Sequence, residues 1–265
     1  MKKLIVIGML GWNRLSGSDQ KHKMKNIDNL IGAYDIKWLT GITNREKTNS
    51  TPIYEALKFV DEFLQNSSLS ADDVQFVFGR GAPFWRTERA LRKTMEILAT
   101  RKEYKDAKVV VVGKSYGCID TLRSIKKSKK TLKIDLAIFL DAYAAPLVRH
   151  GITKKNRGGA GNSFRSLIIP DSIAMAHVVR QNGTKYFGHP ADVPYHKGDR
   201  VRNILVDWVP RDLYYTGYEM GCRKLKVSHF DMDEIPAVMR LNWGYPTQRM
   251  TYPELVKYHL GMWFN

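Results

Sequence analysis

"KVVVVGKSYGCID", Lys108 to Asp120, decides the fold. Val109 to Val112 are four β-branched residues in a row, which marks a strand buried on both faces. The stretch then offers two readings. Gly113-Lys114-Ser115 could end a phosphate-binding loop, whereas Gly113-Lys114-Ser115-Tyr116-Gly117 matches Gly-x-Ser-x-Gly. A phosphate-binding loop of the form G-x-x-x-x-G-K-[ST] needs its first glycine five residues before Gly113, where this chain has Lys108. The intervening valines are strand, not a loop able to wrap phosphates with backbone N–H groups. The serine-turn reading fits every position: strand, sharp turn, then a helix from about Tyr116 to Lys126. Such a turn holds its serine in strained backbone above the sheet. The glycines belong where the turn presses backbone against backbone, and the N–H of Tyr116, opening the helix, points where an oxyanion would form.

Outward from this stretch, apolar β-rich runs alternate with helical patterns. Leu4 to Gly8, Asp35 to Leu39, Val74 to Phe78, Ile134 to Leu140 and Ile204 to Val209 read as strands. Ile53 to Leu64 and Thr87 to Ala99 carry helical spacing, the first behind a Ser50-Thr51-Pro52 start signal. The alternation predicts an α/β fold: a mostly parallel sheet with helices on both faces, in a single domain over residues 1–265. Residues 143–202 break the rhythm. They hold the glycine-rich "KKNRGGAGNSF", and "PDSIAMAHVVRQ" (170–181) reads as a helix there. The expectation is an insertion or lid before the last strand, with Tyr143, Phe164, Tyr186, Phe187 and Tyr195 available to cover a pocket.

Composition narrows the function. Of 265 residues, 43% are hydrophobic, enough for a sizeable core. Cys118 and Cys222 are the two cysteines, too few for a disulfide framework and pointing to a reducing compartment. "MKKLIVIGMLGWNR" imitates a signal peptide, but Gly11-Trp12-Asn13-Arg14 stand where a small-residue cleavage site would be. No run nears the ~20 apolar residues of a membrane span. The expectation is a cytoplasmic protein. The net charge of +17 gathers in 21–25, 126–133 and 154–157. It suits either a solvated basic face or contact with a polyanion or anionic surface. No cysteine–histidine cluster has metal-ligand spacing, and no cofactor is expected.

With "VVVVGKSYG", the later "FLDAYAAP" and the late "KVSHFDMDEIP", the chain resembles the α/β-hydrolase superfamily, lipase/esterase type, from Leu4 to about Pro236. The resemblance implies a nucleophile, an acid and a histidine in that order along the chain. Ser115 is the nucleophile. His229 is the base, since His22 precedes the serine, His150 and His177 lie in the insertion, His189 and His196 precede the last strand, and His259 sits in a C-terminal helix. For the acid, Asp141 ends a strand in a context like the Leu-Asp-Pro of pancreatic-type lipases, while Asp207 or Asp212 would serve the commoner arrangement. A second oxyanion donor would come from the loop after an early strand: the N–H of Met9, with Leu10 next and the loop 78–85 as rival. Ile7-Gly8 departs from the family's His-Gly there. The resemblance implies hydrolysis of a small-molecule or lipid ester without a metal. An acyltransferase or thioesterase on the same fold, and a non-catalytic basic protein binding nucleic acid or membrane, are the alternatives.

Overall fold

The computed structural model describes residues 3–11, 27–81, 87–142, 169–181, 200–206, 208–210, 224–226, 241–242 and 249–265. Its centre is a seven-stranded, wholly parallel sheet. The strands are β1 (Leu4–Leu10), β2 (Asp35–Trp38), β3 (Val74–Arg80), β4 (Lys108–Lys114), β5 (Ile134–Leu140), β6 (Ile173–Gln181) and β7 (Val201–Val206), and they lie side by side in the order β2-β3-β1-β4-β5-β6-β7. A parallel sheet needs both faces covered, and the strands carry apolar side chains on both. Leu4, Val6, Phe76, Phe78, Val110, Ile138 and Leu140 form one core layer; Ile5, Ile7, Met9, Val77, Val109, Val111 and Phe139 form the other.

Helices α1 (Ile27–Ala33), α2 (Asn44–Asn49) and α3 (Thr51–Leu64) follow β1. Helix α4 (Thr87–Thr100) links β3 to β4, α5 (Tyr116–Lys127) links β4 to β5, and α6 (Tyr252–Phe264) closes the chain. The first core layer receives α3 and α6 through Leu57, Val60, Leu255 and Val256; the second receives α4 and α5 through Leu91, Met95, Ile119 and Leu122. Local chemistry sets the helix ends. Thr251 accepts from the Glu254 N–H while Glu254 accepts from the Thr251 N–H at 2.6 Å, with Pro253 in the first turn, a capping box that satisfies two orphan donors.

The α/β architecture and the sheet's parallel sense are as the alternation predicts. Two expectations change. Residues 173–181 form a strand, not a helix, and this strand sits between β5 and β7. The segment expected as one insertion therefore supplies the strand next to one edge of the sheet. The reason is burial on both sides: Ala176 and Val178 pack in one layer and Val179 in the other, and a short run apolar on every side reads equally as helix or strand. The strand expected at 204–209 runs instead from Val201 to Val206, and Trp208–Pro210 pairs separately with Lys224–Lys226. Residues 143–168 and 182–199, where the lid aromatics fall, lie outside the described residues. No described helix is long and apolar enough to cross a membrane.

Candidate active site

The strand order places the site before any side chain is considered. From β1 the chain builds β2 and β3 on one side, then crosses back to lay β4 on the other. Neighbouring connections leave β1 and β4 for opposite faces of the sheet. In open α/β sheets such a switch point opens a crevice at the carboxyl ends of the strands, where ligands bind. Gly11 follows β1 here, and Ser115 follows β4.

Ser115 caps helix α5 with φ 53° and ψ −125°. This lies outside the regions open to L-residues, and such backbone costs about 1–3 kcal/mol unless its surroundings hold it. Several do. The Ser115 N–H donates to the Leu140 carbonyl at 2.9 Å, continuing the β4–β5 ladder past its last pair. Its own carbonyl accepts from the Cys118 N–H at 3.2 Å. Ser115 is 4% exposed.

The turn works because four glycines let backbone cross backbone. A Cβ on Gly117 would collide with the Met9 carbonyl oxygen, so the first turn of α5 runs against the end of β1. A Cβ on Gly81 would lie 2.5 Å from the Gly117 nitrogen. One on Gly113 would press the Cys118 backbone at 3.2–3.3 Å. One on Gly11 would stand 2.7 Å from Ser115 Cβ and 3.4 Å from its Oγ. Gly11 is thus the backbone that leans on the serine. Met9, the expected second donor, is a strand residue in register with Gly79 on one side and Gly113 on the other. Tyr116 opens α5, so its N–H is among the first-turn donors without an intrahelical partner. Its hydroxyl accepts from Arg123 Nη1 at 3.1 Å.

Asp141 stands one strand over, directly after Leu140, and the structure brings it to the same edge as Ser115. It is fully buried, has φ 48°, and its N–H donates to the Val179 carbonyl at 2.6 Å. Cys118, on the first turn of α5, donates its thiol to the Leu140 carbonyl at 3.7 Å. Burial first, and then the charge of Asp141, push that thiol well above its usual range. Cys118 is therefore held as an unreactive thiol.

The serine's neighbour Lys114 is 2% exposed and belongs to the opposite face. There it lines a cavity of about 20 Å³ with Val6, Leu10, Phe78, Leu140 and Tyr252. That is room for about one water and not for a substrate. His177 and His259 are also on that opposite face, both buried, and burial lowers their pKa to about 3 and about 4. His229, Asp207 and Asp212 lie outside the described residues. Among the described residues no three His, Cys, Asp or Glu side chains converge to hold a metal.

Sequence reasoning missed one part of this edge. Arg80, the last residue of β3, pairs with Glu46 of α2 at 2.6 Å, and both are buried. No spacing signal joins residues 46 and 80, and only the fold brings them together. Comparison with protein-family models, with curated proteins and with solved structures found no match to this chain.

Proposed function

We propose that the protein is a serine hydrolase of carboxylic esters, working through an acyl-enzyme at Ser115. One observation carries the reading. A non-glycine residue holds φ 53°, ψ −125° between a buried strand and a helix, at the switch point of a parallel sheet. Strain of this kind persists where a side chain must be aimed, and the residue aimed is a serine. An ordinary Gly-Ser-Gly turn would have no need of it.

In this mechanism Ser115 Oγ attacks the ester carbonyl as His229 takes its proton. The tetrahedral oxyanion is held by the Tyr116 N–H and by a second N–H from the end of β1. That donor is Met9 on the sequence reading; the approach of Gly11 to Ser115 draws the choice towards the strand's last residues. His229 then protonates the leaving alcohol, water attacks the acyl-enzyme by the same route, and the acid is released. Asp141 orients His229 and stabilises the imidazolium. Its place at the carboxyl end of β5, the strand beside the one that carries Ser115, favours it over Asp207 and Asp212. The ester in this reading is a small molecule or a lipid.

The test is covalent. A fluorophosphonate probe is expected to label wild-type protein on the peptide containing Ser115. Ser115→Ala is expected to lose label and at least ~10³-fold in hydrolysis of p-nitrophenyl acetate while keeping its melting temperature. Unlabelled wild type, or turnover surviving in Ser115→Ala, overturns the reading. Faster acyl transfer to an added alcohol than to water would move it to an acyltransferase with the same nucleophile.

A further inference from the structure

We infer that the buried Arg80–Glu46 pair is a positioning device for the backbone that roofs Ser115; the inference rests on the nucleophile reading above. Among the described residues the Arg80 guanidinium meets both Glu46 and Gly11. Nη1 meets Glu46 Oε1 at 2.6 Å, and Nε donates to the Gly11 carbonyl at 3.3 Å. Glu46 is itself fixed, since its Oε2 accepts from the Thr43 N–H at 2.8 Å and the Thr43 hydroxyl at 3.0 Å in the capping box of α2. Beside this pair, the Gly81 N–H donates to the Leu10 carbonyl at 2.8 Å. The Leu10 and Gly11 carbonyls, at the end of β1 and just past it, are thus both tied to the end of β3, and through Arg80 to α2.

Stability does not account for the arrangement. A buried ion pair loses in desolvation about what it gains in attraction, and apolar replacements are often neutral. What this pair does that an apolar pair cannot is orient a peptide. The peptide group is planar and the Gly11 Cα belongs to the plane of its own carbonyl, so fixing that carbonyl fixes where the Cα stands. Gly11 is the residue whose Cα stands against Ser115 Cβ. A guanidinium can grip a carboxylate and a carbonyl at once in a fixed fork, which an ammonium cannot. Arg80 and Glu46 touch no reacting atom in this account. They set the distance between the end of β1 and the serine, where the second oxyanion donor originates.

Two variants test the device. Arg80→Lys keeps the charge beside Glu46 but loses the rigid planar fork that reaches Gly11 at the same time. Arg80→Met with Glu46→Gln removes both charges while Gln keeps the capping box, so no lone charge is left buried to unfold the protein. Both are expected to lower kcat for p-nitrophenyl acetate roughly 10²-fold, the scale of an ångström's misplacement. KM is expected to stay within about twofold, as befits an interaction made in the transition state. Amide hydrogen exchange in residues 8–11 is expected to quicken in both. Wild-type kcat, or wild-type exchange in that segment, in the variants that fold overturns the proposal. If wild-type protein takes no fluorophosphonate and turns over no ester, the nucleophile reading fails instead, and exchange in residues 8–11 alone decides whether Arg80 braces Gly11.

Discussion

Among the described residues two hold positive φ without being glycine, Ser115 and Asp141, and both stand at the carboxyl edge of the sheet. Each follows the last residue of a strand, and those last residues, Lys114 and Leu140, are in register with one another. The two described side chains that carry proposed chemistry are thus also the two non-glycine residues with positive φ. Asparagine tolerates positive φ about as well as aspartate, so Asp141→Asn changes the charge and little of the backbone. If Asp141 is the acid, this variant is expected to lose ~10⁴-fold in kcat at neutral pH, since the amide no longer holds the histidine's tautomer. Thermal melting beside a pH–rate profile checks it. Full activity in Asp141→Asn, with loss in Asp212→Asn, would place the acid after the later strand. Asp141 was legible in the sequence because "IFLD" ends an apolar run with a carboxylate. Its positive φ was not, because dihedral angles depend on what the next strand allows.

At the scale of elements, the site is a crossing of β1, β3 and the first turn of α5. Gly81, Gly117 and Gly11 are the points of contact, and a methyl group at any of them meets backbone or the serine's Cβ rather than a movable side-chain end. Gly117→Ala is therefore expected to destabilise the fold by at least ~2 kcal/mol through overpacking. Gly32→Ala, in a helix where a Cβ meets nothing within 4 Å, is expected to be neutral or slightly stabilising. Denaturant titration of the pair separates crossing from propensity, and equal stability of the two variants would refute the packing account. Gly113 and Gly117 could be read from the motif, since a strand-to-helix turn has a known need for them. Gly11 and Gly81 could not. Their partners are 104 and 36 residues further along the chain, and nothing local in "MLGW" or "GRGA" reports that encounter. The same limit hid β6: its apolar side chains satisfy a helix template until the sheet supplies β5 and β7 on either side.

On the scale of the whole molecule, the two faces of the sheet divide the work. The face of α4 and α5 carries the turn that aims Ser115; the face of α3 and α6 buries His177 of β6 and His259 of α6. Burial is the main cause that holds both histidines neutral, with folded values of about 3 and about 4 against 6.5 for the free side chain. Repulsion from His259, where that ring is protonated, and from Arg202 lowers His177 further. The sign follows from proton counting. Between about pH 4 and 6.5 the unfolded chain binds protons that the folded chain refuses, so stability rises with pH across that window. The contribution is complete above about pH 6.5 and is lost as pH falls towards the folded values. Each unit of displacement is worth ~1.4 kcal/mol per group, so the two together amount to several kcal/mol on the order-of-magnitude scale. A chain already at +17 also gains charge on acidification, and self-repulsion adds to the loss. The melting temperature is expected to fall steeply from pH 7 to pH 4. His177→Leu, which removes one of the two groups at similar volume, is expected to flatten that slope by about half of the histidine contribution. High salt screens the surface repulsion but leaves the buried pair's share in place. A melting curve independent of pH across this range, or an unchanged slope in His177→Leu, would show that these histidines are not what limits the fold in acid.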